Sequence, residues 1–161
     1  VQEIIDLVKG TKTFVENRER AAHIKVKGPA DYVTQVDTDI QNFLCRKLGR
    51  LAPEIQFLGE EEGLHEMNAD TYWILDPIDG TTNLIHNYQH SVVSLALYEK
   101  GEITMGIVYD PFREDVYHAQ KGKGSFLNGA PISVSDAETL GETIIAIGTS
   151  PYDRELTEEN T

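Results

Sequence analysis

Cysteine is nearly absent from the sequence: Cys45 stands alone among 161 residues. No internal disulfide can form, which suits a reducing cytoplasm. With no metal-binding motif around it, Cys45 reads as a small buried residue. Positive charge is scarce too, with 14 Lys and Arg against 27 Asp and Glu and a net charge of −13. Such a surface repels nucleic-acid phosphates and anionic membranes, so neither is an expected partner. It also repels phosphorylated small molecules unless bound cations reverse the local field. Long apolar runs are missing: the longest, Val92 to Tyr98, is interrupted by Ser94 and falls far short of a membrane span. The first ten residues carry Glu3, Asp6 and Lys9, which no secretory leader would. The chain starts at Val1 rather than Met, so its natural start is expected to be missing.

The composition, 40% hydrophobic and 25% charged, is that of a folded single domain. The spacing of Ile4, Leu7, Val8, Thr11, Phe14 and Val15 predicts a helix from Val1 to about Arg20, weakened at Gly10. Lys25 to Pro29 reads as a loop. Asp37 is placed to cap a second helix with Ile40, Phe43, Leu44, Leu48 and Leu51 as its apolar stripe, closed by Pro53. Strands follow at Ile55–Leu58, Tyr72–Leu75, Ser91–Tyr98, Ile103–Tyr109 and Asp115–Ala119. Asn128-Gly129 is the strongest turn signal, separating Ser125–Leu127 from Ile132–Val134. A last strand is predicted at Thr143–Ile147 and a helix opening at Asp153–Glu159. Helices followed by a strand-rich meander give an α+β layered domain, with two N-terminal helices on a mostly antiparallel sheet.

The chemistry concentrates in Trp73-Ile74-Leu75-Asp76-Pro77-Ile78-Asp79-Gly80-Thr81-Thr82-Asn83. An apolar strand runs straight into Asp76, and Asp79 follows three residues later across a proline-stiffened turn. Gly80 lets backbone approach a ligand, and Thr81 or Thr82 can cap a short helix whose first N–H groups attract an anion. Two converging carboxylates repel unless a cation or proton neutralises one. All-oxygen donors favour Mg²⁺, Mn²⁺ or Ca²⁺ over zinc, and a cation beside an anion-binding turn is what phosphoryl transfer requires. Asp, Pro and Gly also make ordinary turns for local reasons, which is the competing reading of this pentapeptide.

That stretch closely resembles the first motif of the inositol monophosphatase family. Phe57-Leu58-Gly59-Glu60-Glu61 resembles its Gly-Glu-Glu element, and Asp31-Tyr32-Val33-Thr34-Gln35-Val36-Asp37 its Asp-x-Val-Thr-x-x-Asp element. Leu84-Ile85-His86, Val92 to Leu97, Lys121 to Gly124 and Phe126 to Gly129 follow in the family's order. The resemblance implies Mg²⁺-dependent hydrolysis of a small phosphate monoester, an inositol monophosphate or similar polyol phosphate. Asn83 and His86 favour the inositol-phosphate branch over the nucleotidase branch. It implies that Glu60, Asp76 and the carbonyl of Ile78 bind one Mg²⁺, with Mn²⁺ as an alternative. Asp76 would bridge to a second ion, held also by Asp79. Thr81 and Asp37 would position and deprotonate the attacking water, and the backbone of Ile78, Asp79, Gly80 and Thr81 would hold the phosphate. No covalent phosphoenzyme is implied. Bland readings compete: Asp37 as a helix cap only, Glu60 to Glu62 as a solvated loop with Glu61 the second choice of ligand, Lys27 as a surface lysine rather than a phosphate neighbour. The five histidines, His23, His65, His86, His90 and His118, lack metal-ligand spacing, and Tyr109 and Tyr117 read as packing residues.

The family also carries a later Trp-Asp motif whose Asp completes the second metal site. The one tryptophan here, Trp73, belongs to the first motif. The sequence is therefore expected to be the N-terminal part of such a catalytic domain, a shortened version of the family's five-layer αβαβα sandwich. Self-association, as a homodimer or otherwise, is expected through uncovered apolar surface near Ile144, Ile145 and Ile147. A catalytically incomplete fragment, or a non-catalytic module that binds a cation or anion or docks on a protein, is the competing function.

Overall fold

A strand rich in β-branched and aromatic residues that ends in acids needs protection on both faces, and here it becomes the inner strand of a sheet. The computed structural model describes residues 1–28, 31–62 and 69–146. The helical segments at the start are α1 (Gln2–Lys9), α2 (Lys12–Val15) and α3 (Arg18–Ala21). A two-stranded ribbon, β1 (Ile24–Gly28) and β2 (Asp31–Thr34), leads into the long α4 (Gln35–Leu51). Then come β3 (Gln56–Gly59), β4 (Thr71–Asp79), the short α5 (Thr81–Ile85), β5 (Val92–Glu99), β6 (Glu102–Asp110), β7 (Asp115–Gln120), β8 (Gly124–Leu127) and β9 (Ala130–Ile132). Strands β3 to β9 lie side by side in sequence order, β3 parallel to β4 and every later pair antiparallel. No described helix is long and apolar enough to cross a membrane.

Alternation along the strands builds the core. Trp73 and Leu75 of β4, Val93 and Leu95 of β5, Met105, Ile107 and Tyr109 of β6 and Val116 of β7 gather with Ile5 and Val8 of α1 and Ile40, Leu44 and Leu48 of α4. Among the described residues the opposite side of the meander has no such cover: Val108 is 37%, Tyr117 43% and Ile132 43% exposed. Tyr109 is a packing residue as expected, whereas Tyr117 stands on the open side. The hairpin turns have left-handed backbone at both central residues, φ 50° and 97° at Lys100-Gly101 and 51° and 82° at Asn128-Gly129. This matches the twist of the strands they join.

Several expectations are corrected. The single helix to Arg20 is three short pieces: the chain turns at Gly10-Thr11, where Thr11 Oγ1 donates to the Val8 carbonyl at 2.6 Å, and restarts at Asn17, whose side chain caps α3. Lys25 to Gly28 is strand rather than loop. Its residues are exposed or nearly so, so it carries no buried alternation to betray it. Asp37 is not the N-cap of α4; Thr34 is. Neither Thr81 nor Thr82 caps α5, since Gly80 occupies that place. Thr143 to Ala146 form no strand, with Ile144 96% and Ile145 59% exposed; a lone strand has nothing to bond with. Ile147 and the predicted helix at Asp153–Glu159 lie outside the described residues. Cys45 is half-buried.

Candidate active site

The site begins where β2 hands over to α4. Thr34 is extended, so its hydroxyl oxygen can accept the N–H of Val36, 3.2 Å away. Asp37, at the third helical position, reaches back: its Oδ2 accepts from the Thr34 N–H at 2.9 Å and from the Thr34 hydroxyl at 2.5 Å. This reciprocal cap satisfies helix-end donors and locks the carboxylate, which is only 1% exposed. The other oxygen, Oδ1, lies 3.0 Å from the Thr81 hydroxyl, across 44 residues of sequence. Thr81 Oγ1 is also 3.0 Å from the Ile78 carbonyl. One hydroxyl has one proton, so it donates to only one of these acceptors at a time.

Thr81 reaches that position because β4 loses register at its end. Pairing with β5 slips between Asp76 and Asp79, where Pro77 has no N–H to give the ladder. Gly80 then turns the chain with φ 90°. A Cβ there would sit 3.0 Å from the His90 carbonyl oxygen, so the glycine serves the turn and a neighbouring loop. Ser91 Oγ donates to the Gly80 carbonyl and Asn83 Nδ2 to the His90 carbonyl, each at 2.8 Å. The amide of Asn83 is thus engaged in holding the His86–His90 loop.

The end of β4 also carries crowded acids. Asp76 accepts one hydrogen bond, from the Ile78 N–H at 3.1 Å. Its carboxyl is pushed up from 3.8 to about 7, first by burial, then by the charge of and hydrogen bond with Glu60, then by Asp79, with the Ile78 N–H acting the other way. Glu60 opens a tight turn, Glu60–Glu62, directly after β3. Lys27 of β1 stands over it, 2.8 Å from Glu61 and 3.9 Å from Glu60. Burial raises the Glu61 carboxyl even against the pull of Lys27. Glu61 is therefore committed to a lysine, whereas Glu60, 53% exposed, acts on Asp76.

No three His, Cys, Asp or Glu side chains among the described residues converge on one point as they stand. The donor chemistry nonetheless fits a hard divalent cation: the nearby groups are oxygen donors, and the burial and neighbouring charge that raise Asp76 are what such an ion offsets. His86 and His90 are exposed, and His118 stacks on Phe126 at 5.0 Å. His65 lies outside the described residues. A cavity of ≈ 250 Å³ lined by Lys9, Glu114, His118 and Asn128 includes none of these acids.

The Thr81 hydroxyl joins Asp37 and Ile78, Glu60 and Asp79 act on Asp76, and Asp37 in turn acts on Glu61. Sequence reasoning missed Thr34 and Gln41. Thr34 was legible as the start of a Thr-x-x-Asp capping pattern. Gln41, 4% exposed, accepts the Glu61 N–H at 3.1 Å. Its signal was a polar residue inside the apolar stripe of α4.

The sequence profile of the inositol monophosphatase family matches residues 2–161. An inositol monophosphatase of Dictyostelium discoideum is 36% identical over 159 residues, covering 96% of this chain and 58% of that protein. The Nus factor SuhB of Xylella fastidiosa is 36% identical over 138 residues, covering 86% of this chain and 50% of its own. Among solved structures, an IMPase/NADP phosphatase complexed with Mg²⁺ and phosphate superposes with a TM-score of 0.73 at 30% identity, covering 81% of this chain and 51% of that one. The chain thus spans about half the length of the relatives it matches.

Proposed function

This chain belongs to the inositol monophosphatase family, and from that premise we propose that it carries the water-activating residues and most of the metal ligands of a phosphate-monoester hydrolase. The substrate is a small phosphorylated polyol such as an inositol monophosphate. The observation that carries the reading is the 3.0 Å contact between Thr81 Oγ1 and Asp37 Oδ1, within general-base reach, beside an acid crowded by two others.

Glu60, Asp76, the Ile78 carbonyl and Asp79 would hold Mg²⁺, or Mn²⁺ in its place. Bound there, the ion neutralises phosphate charge and lowers the pKa of water. The Ile78 carbonyl has a second lone pair, so accepting from Thr81 does not disqualify it. Thr81 takes a proton from the attacking water as its own proton passes to Oδ1 of Asp37; Oδ2 is already engaged by Thr34. The water oxygen bonds to phosphorus, the ester oxygen leaves with the electron pair of the broken P–O bond and takes a proton from solvent, and Asp37 returns its proton to solvent. The backbone from Ile78 through Asp79 and Gly80 to Thr81 orients the phosphate. No side chain becomes phosphorylated.

Catalysis of this kind is positioning and charge neutralisation. With one ligand of the second ion supplied from beyond these residues, the chain alone should be a poor catalyst, at least about 10²-fold below a full-length relative. The test measures phosphate release from an inositol monophosphate in saturating Mg²⁺. It is repeated with a co-expressed segment of a family member that contains the Trp-Asp motif. Restored activity is expected; an inactive pair sinks the reading, and full activity from the chain alone refutes the role given to the missing ligand.

One observation favours a second reading, a non-catalytic module that docks on a protein or on its own copy as a homodimer. Val108, Tyr117 and Ile132 stand exposed on one side of the sheet, a patch that favours association. Metal-dependent hydrolysis by the reconstituted pair separates the two readings.

A further inference from the structure

We propose that Gln41 is a positioning residue for the metal-binding loop, its side-chain amide clamping the backbone on which Glu60 is carried. The inference rests on the reading of Glu60 as a cation ligand. Gln41 is buried in the stripe of α4 formed by Ile40, Leu44 and Leu48. A polar group so placed is tolerated when it is hydrogen-bonded, and its Oε1 accepts the N–H of Glu61 at 3.1 Å.

The residue on the other side of Glu60 has been fitted to the same amide. A Cβ at Gly59 would lie 2.2 Å from Gln41 Oε1 and 2.5 Å from its Cδ. Gly59 is not among the glycines with positive φ. Its backbone does not require glycine, so its missing side chain serves the Gln41 amide. One side chain thus bonds the residue after Glu60 and fills the space left by the residue before it. That side chain sits one turn after Asp37 on the same helix, which puts the water-activating carboxylate and the metal loop in one rigid frame. Lys27 engages the Glu60 and Glu61 carboxylates; Gln41 sets the main chain beneath them.

The experiment compares Gln41→Leu, Gln41→Glu and Gly59→Ala with the unaltered chain. Three quantities are read: Mg²⁺ affinity by calorimetry, hydrogen exchange of the Glu61 amide without metal, and the thermal midpoint. Gln41→Leu keeps the size of the side chain but offers no acceptor. It should speed Glu61 exchange at least tenfold and weaken Mg²⁺ binding about tenfold, as loss of groups that orient metal ligands commonly does. Gly59→Ala, which evicts the amide, should do the same. Gln41→Glu retains an acceptor and should keep the Glu61 amide protected, with Mg²⁺ bound as tightly as before or more so. Unchanged exchange in Gln41→Leu overturns the clamp, and lost protection with unchanged affinity overturns its role in metal binding. If Gln41→Leu does not fold, Gly59→Ala and Gln41→Glu decide. If the unaltered chain takes up no Mg²⁺, the reading of Glu60 as a ligand fails, while Glu61 exchange still judges the clamp.

Discussion

Two acids at the centre of this molecule are treated in opposite ways. Asp37 is almost wholly buried and satisfied: a backbone N–H and a hydroxyl from Thr34 hold one oxygen, and Thr81 faces the other. Asp76 is partly buried, accepts one backbone N–H, and has Glu60 and Asp79 for neighbours. The first arrangement is complete without a ligand. The second stores repulsion that only a proton or a cation removes. A chain that folds around both holds Asp37 rigid and leaves the neighbouring acids open to a charge from outside.

The largest effect expected from breaking this contrast is at Asp76. Asp76→Asn should abolish Mg²⁺ binding measured by calorimetry. The same change should raise the thermal midpoint of the metal-free chain, because it removes a repelled charge. Solvent screens a partly exposed carboxylate, so the gain is about 1 kcal/mol, or ~2–4 °C in a chain of this size. The pH dependence follows from the same raised carboxyl. A group that holds its proton more tightly when folded stabilises the fold below its unfolded value, and this is lost as pH rises through its folded value. The metal-free midpoint should therefore fall between about pH 4 and pH 7, and Asp76→Asn should flatten that fall. Unchanged Mg²⁺ binding in the variant, or a midpoint rising with pH in a way that depends on Asp76, would erase the contrast.

Asp37→Asn probes the satisfied partner. It preserves shape and one acceptor oxygen but cannot take a proton. Phosphate release by the reconstituted pair should drop at least about 10²-fold, the ordinary contribution of a positioned general base. Mg²⁺ affinity should stay within roughly twofold, since Asp37 is not among the proposed metal ligands. A large loss of metal affinity would show that Asp37 takes part in holding the metal.

The smallest effect is at Thr34. Thr34→Ala removes the cap oxygen for Val36 and the hydroxyl donated to Asp37, and should cost about 1 kcal/mol in denaturant unfolding. If stability is unchanged, Asp37 is not held by its cap in the way the geometry indicates.

By itself the sequence determined the α+β class, the order of the strands and the Asn128-Gly129 hairpin turn, because each follows from periods and turn chemistry acting over a few residues. It also determined the acidic motif, since Asp76 and Asp79 are close along the chain. Local pattern failed where a segment buries nothing. β1 is exposed or nearly so and looked like a loop, and Thr143–Ile147 looked like a strand because its isoleucines suit one, although Thr143 to Ala146 form none. Only the tertiary structure decided which acid is satisfied and which is crowded. Thr81 and Asp37 meet across 44 residues, Glu60 approaches Asp76 because β3 runs parallel beside β4, and Gln41 grips the loop between them from α4. The burial and mutual charge that set these carboxylates apart depend on distances through space, which sequence spacing does not carry.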